Sequence, residues 1–203
     1  MTTSAVSATD RSDFKHVLVS GTKVGVITGI AVILSLVVAR FLSGGLARDL
    51  VLSLIVLGAG VLASLLPAHW AIARNTEGVA GAAAIGLWGT VVFMAIDIVL
   101  LRNVRAYPWT WDAIGGGSTW WYLPIWWMLG TYLAWMGGLV TAARNARETV
   151  GLSQLALPLA IGAIVLAAVA KLIAGGVALP VLVGGGYTVS LTVLALFSLV
   201  RKA

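Results

Sequence analysis

Apolar residues fill almost the whole chain in runs of about twenty, parted by breaks of a few polar or glycine residues. A helix needs about 20 apolar residues to cross a hydrocarbon core of about 30 Å. Inside lipid the backbone is satisfied only within helices or closed barrels. The pattern predicts six transmembrane helices, over residues 24–42, 50–70, 79–101, 122–140, 152–175 and 177–200. Lys23 and Arg40 bracket the first run and can snorkel to opposite interfaces. Ser43-Gly44-Gly45 ends that run, Pro67 lies near the end of the second, and Ala73 to Gly78 form a polar turn before the third. Only Gly175-Gly176 separates the last two, which predicts a tight hairpin.

Two stretches break the pattern. Residues 1–20 read as a polar cytoplasmic tail that becomes mildly amphipathic around Phe14 to Val19, an interfacial turn. Residues 102–121 are too polar and too rich in Pro and Gly to span, yet crowded with aromatic rings, and are expected as an outer loop on the membrane surface. The expected fold is an all-α polytopic bundle, one six-helix membrane domain over residues 21–203.

Composition sharpens this reading. The chain is 60% hydrophobic and 10% charged, with a mean hydropathy of +1.03; soluble domains are about 45–50% apolar. The net charge of +6 comes from residues flanking apolar spans, so it reports orientation and lipid contact rather than nucleic acid. With the N-terminus inside, Arg11, Lys15, Lys23, Arg74, Arg144, Arg147, Arg201 and Lys202, eight of thirteen cations, are cytoplasmic. That bias favours both termini in the cytoplasm, and the inner membrane of a bacterium is the expected location.

Without cysteine there are no disulfides, thiolate nucleophiles or thiolate-held metals. His16 and His69 alone cannot supply a three-histidine zinc site or the paired ligands of several haems. No cofactor or metal is therefore predicted, while a bound lipid or pigment stays compatible with the sequence. No Gly-x-Ser-x-Gly elbow, His-Glu-x-x-His motif or paired intramembrane aspartates occur, which leaves hydrolase chemistry without residues.

Asp97 is the most pointed polar residue, inside the apolar stretch Val91 to Leu101, where a bare carboxylate is costly. Arg40, Arg102 and Lys171 fall in the same leaflet, which makes the four a candidate intramembrane ion pair or gate. The segments Val38 to Ala47 and Val169 to Ala178 echo each other, a likeness that helix-end chemistry explains: a cation at the C-terminal dipole and a glycine stop.

Seven of the nine tryptophans lie close together: Trp109, Trp111, Trp120, Trp121, Trp126, Trp127 and Trp135. An interfacial belt accounts for the first four, whereas Trp126, Trp127 and Trp135 run deeper and form a candidate partner or lipid surface. Gly21, Gly25 and Gly29 recur every four residues, as do Gly78, Ala82, Gly86 and Thr90, stripes that let helices approach closely. Gly184-Gly185-Gly186 is expected to loosen or kink the last span near Pro180.

These features point to a non-enzymatic accessory or scaffold subunit, in contact with membrane lipids and other membrane subunits. The alternative is a small transporter or channel for a lipid or hydrophobic solute, gated at Asp97 and the outer cations. An enzyme acting on lipid headgroups around Asp112 and Arg105 is the third class.

Overall fold

A computed structural model of the chain describes residues 13–101, 122–145, 151–173 and 175–200. It is all-helical: α1 (Phe14–Phe41), α2 (Leu46–Trp70), α3 (Thr76–Ile96, continued by a π-helical turn at Asp97–Leu101), α4 (Tyr122–Asn145), α5 (Leu152–Ile173) and α6 (Leu179–Val200). Five of the six, all but α4, are long and apolar enough to cross a membrane, so the chain is a multi-pass membrane protein.

Helix α1 begins at Phe14, ten residues before the first apolar run, so the expected interfacial turn is helix instead. The reason is polar anchoring that hydropathy does not register. One turn inside the helix, His16 Nε2 lies 3.1 Å from the Trp70 carbonyl at the end of α2, and Ser20 Oγ lies 3.4 Å from the same ring nitrogen. The α1–α2 connection turns through Gly45, whose φ of +145° suits a residue without a Cβ. At the other end of α2, the backbone passes through Ile72 into α3, where the Asn75 side chain accepts from the Gly78 N–H and caps the new helix.

Lipid tails are as apolar as leucine, so helices associate in a bilayer through close packing rather than the hydrophobic effect. Small residues make that packing possible. Along α1, Gly21 faces Trp88 and the Ile85 carbonyl, Gly25 faces Gly89 and Val92, and Gly29 faces Ile96. The rising order on both helices makes α1 and α3 parallel neighbours. On the adjoining face of α3, Gly86 meets Ala134 and Gly130, Thr90 meets Gly130, and Ala82 and Val79 meet Gly138, an antiparallel pairing with α4. Gly137 sits against the Ser64 carbonyl of α2.

The α3 small-residue stripe thus faces α4, while the α1 stripe meets the neighbouring face of α3 around Gly89. Helix α6 lies along α2 and α5, with Gly60 under the Tyr187 ring and Gly186 against Ala163 and Ala167. The run Gly184 to Gly186 lies within continuous helix. The span does not unwind there: Gly186 makes a close helix contact and Gly184 faces Val56. Helix α2 touches every other helix and is the centre of the bundle.

Two buried clusters result. Leu65, Met136, Leu159, Tyr187 and Leu191 join α2, α4, α5 and α6. Val24, Ala68, Val79, Ile85 and Ala142 join α1 to α4.

Candidate functional site

Polar side chains inside lipid must find partners, and here most find them locally. Thr28, Ser35, Ser53, Thr90, Thr188, Thr192 and Ser198 donate to carbonyls four residues back in their own helices. Two hydroxyl–hydroxyl pairs cross between helices. Ser64 of α2 and Tyr187 of α6 share a buried hydrogen bond of 2.6 Å, and Tyr132 of α4 lies 2.5 Å from Thr192 Oγ1 of α6. Neither was foreseeable from hydropathy, since Tyr187 reads as one more aromatic in an apolar span. Among the described residues, Thr141 Oγ1 is a buried side-chain atom with no hydrogen-bond partner.

Asp97 is buried, 5% exposed, at the first position of the π-helical turn. The residue before it, Ile96, packs on Gly29 of α1, and Phe93 one turn earlier meets the Trp126 ring edge-on at 5.9 Å. A π turn inserts an extra residue into a helix and often marks a functional position.

Of the cations grouped with Asp97, Lys171 is turned toward its own helix end, donating to the carbonyls of Gly175 and Val177 at 2.8 and 2.9 Å. Its helix packs against α2 and α6, whereas Asp97 lies on a helix packed against α1, α2 and α4. Arg40 is exposed in the last turn of α1. Its Cα is about 16 Å further along the axis than Gly29, the residue beside Ile96. Arg102 lies outside the described residues, as do Trp109, Trp111, Trp120 and Trp121 and the loop residues Arg105 and Asp112.

The deeper tryptophans divide. Trp126, though 38% exposed, rests against Phe93 and lines a narrow cleft of about 80 Å³ with Thr28, Thr90 and Leu133. Trp127 and Trp135 stay 40% and 47% exposed on the outer face of α4. With Leu87, Ile125, Met128 and Tyr132 they line an open groove of about 640 Å³. Trp135 stands 13 residues from Tyr122 and 10 from Asn145, about 20 and 15 Å from the two ends of its helix. Among the described residues no acceptor meets either indole N–H, whereas Trp88 Nε1 donates to Thr22 Oγ1 at 3.2 Å.

The inner face of α4 was the feature sequence reasoning missed. Gly130, Ala134, Gly137 and Gly138 repeat at helical spacing and seat α4 against α2 and α3, a signal hidden among the aromatic residues.

His69 is exposed in the last turn of α2, and among the described residues no group of three or more His, Asp or Glu is placed to hold a metal ion. Compared with known proteins, the chain matches no family model, no curated protein and no solved structure.

Proposed function

We propose that this chain is a non-enzymatic accessory or scaffold subunit of a larger complex in the bacterial cytoplasmic membrane, both termini inside, joined to its partner through the outer face of α4. The observation that carries the reading is Trp135. An interfacial belt puts tryptophan at helix ends, where the indole N–H reaches water or headgroups. Trp135 is instead half exposed near the middle of its helix, beside Met128 and an open groove. A neighbouring helix laid in that groove supplies both apolar contact and a carbonyl or hydroxyl acceptor. Small residues holding α4 from behind fix the surface in place.

Site-directed photo-crosslinking in native membranes tests this. A photoreactive residue at Met128 should give one discrete adduct, while the same residue at Leu157, on the exposed side of α5, should give none. Purification in mild detergent as a monodisperse monomer, without adduct at Met128, would overturn the reading.

A second reading, a small transporter or channel for a lipid or hydrophobic solute, draws on one observation: a buried carboxylate on a π turn. Asp97→Asn separates the two, because it removes the charge with little change in shape.

A further inference from the structure

A second groove, of about 620 Å³, runs along the outside of α3 between α1 and α4. Phe14, Val17 and Leu18 form one wall, Ala84, Leu87, Trp88 and Val91 the floor, and Trp127 closes it toward α4. It adjoins the α4 groove, sharing Leu87 and Trp127 with it, and opens on the other side toward α1. Because α1 and α3 are parallel and Gly21 sits beside Ile85 and Trp88, the first turns of the two helices lie at nearly one height at the groove's end.

Two opposite charges stand there. Lys15 precedes Leu18 and Thr22 by three and seven residues; Leu18 lines the groove and the Thr22 hydroxyl receives the Trp88 indole. Helical spacing therefore puts Lys15 on the rim. Glu77 precedes Ala84, Trp88 and Val91 by seven, eleven and fourteen residues, on the ridge that forms the floor. Matching the helices at Gly21 puts Glu77 and Lys15 within about one helical turn of each other in height. Both are exposed, and among the described residues neither makes an ion pair or a side-chain hydrogen bond. Asp13, also exposed, adds a second carboxylate at the foot of α1.

We infer that this groove holds one phospholipid with a primary-amine headgroup, of the phosphatidylethanolamine type, from the leaflet at the α1 N-terminus. An acyl chain lies along Ala84, Leu87 and Val91, Lys15 takes the phosphate, and Glu77 takes the ammonium. The mixed charge selects the occupant. A purely anionic lipid meets Glu77 and Asp13 as repulsive neighbours, and a choline headgroup offers no N–H to a carboxylate. A partner helix would leave Lys15 and Glu77 at its end without a role.

Native mass spectrometry of the full-length protein, exchanged into micelles holding equal amounts of phosphatidylethanolamine, phosphatidylcholine and phosphatidylglycerol, tests this. The amine lipid should be retained about two- to fivefold over each of the others, the range that one interfacial ion pair supplies. Glu77→Gln should erase its advantage over the choline lipid and raise phosphatidylglycerol. Lys15→Gln should lower all three. Both positions are exposed, so neither change threatens folding. Equal retention of the three lipids, preference for phosphatidylglycerol in the unmodified protein, or an unchanged preference in Glu77→Gln would overturn the inference. So would a polypeptide cross-linked at Leu18. The readout is independent of the Met128 adduct, so lipid site and subunit surface fail or stand separately.

Discussion

Replacing Gly25 with alanine tests the arrangement of α1 on α3. A Cβ at this position would lie 2.5 Å from the Gly89 carbonyl oxygen and 2.7 Å from Val92 Cβ, against about 3.5 Å or more for relaxed contacts. Neither atom can swing aside, since one is backbone and the other is the root of a β-branched side chain. The helices must part by about 1 Å, and overpacking of this kind costs about 1–3 kcal/mol. Alanine returns about 0.5–1 kcal/mol of helix propensity, which leaves a net loss of up to about 2.5 kcal/mol.

Two controls isolate the contact. At Gly29 the new methyl would touch the Ile96 side chain at 3.4 and 3.5 Å, and at Gly58 nothing lies within 4 Å. Gly29→Ala should be near neutral, and Gly58→Ala should stabilise by up to about 1 kcal/mol. Titration from mild detergent into SDS, followed by tryptophan fluorescence, reads all three, because Trp88 sits against Gly21 and reports separation of the pair. If Gly25→Ala unfolds no earlier than Gly58→Ala, the parallel packing of α1 on α3 is wrong.

Three further substitutions test the buried polar groups. Tyr187→Phe removes the phenol from Ser64, which keeps a 3.3 Å contact to the Val61 carbonyl; a loss of about 0.6 kcal/mol is expected in the same titration, and no loss would mean the pair does not form. Thr141→Val swaps a buried hydroxyl without a described partner for a methyl; it should hold or raise stability by up to about 1 kcal/mol, while a loss of that size would reveal a partner for the hydroxyl. Asp97→Asn should lower the yield of assembled complex without affecting any measured solute flux; lost flux at normal assembly would favour the transporter reading.

The multi-pass helical architecture was legible because hydropathy depends on long runs, and the membrane enforces helix over each run. What hydropathy could not register was specific polar pairing. Helix α1 reaches back to Phe14 through His16 and Ser20, residues that lower the local apolar content while anchoring the helix to α2. The glycine stripes showed that faces approach closely but not which ones. Gly21, Gly25 and Gly29 meet α3 beside its small stripe, and that stripe itself meets α4. Spacing encodes the shape of one surface, and a partner is chosen by two. The burial of Asp97 was legible from the apolar run around it, whereas its grouping with Lys171 rested on shared leaflet alone. Helix order around the bundle, which puts α5 beside α2 and α6 rather than α3, is not written in any single span.

Helix α4 separates the two uses to which a helix of this bundle can be put. Its inward side carries the glycines of close approach, Gly137 against the Ser64 backbone and Gly130 against Thr90; its outward side carries Trp127, Met128 and Trp135. A change on each side should therefore move different measurements. Gly137→Ala puts a methyl against the Ser64 carbonyl, an atom of the central helix that cannot move without displacing α2. The isolated protein should lose about 1–3 kcal/mol in the SDS titration. Trp135→Leu keeps an apolar, helix-favouring residue at an exposed position, so the isolated protein should change by less than about 0.5 kcal/mol. Its copurifying partner should nevertheless fall severalfold, since a tryptophan anchor in an interface commonly contributes about 2 kcal/mol or more. If Trp135→Leu destabilises the isolated chain as much as Gly137→Ala, the ring belongs to the fold and the outward face of α4 is not a docking surface. If it changes neither stability nor copurification, Trp135 faces lipid alone, and the partner must lie elsewhere on the bundle.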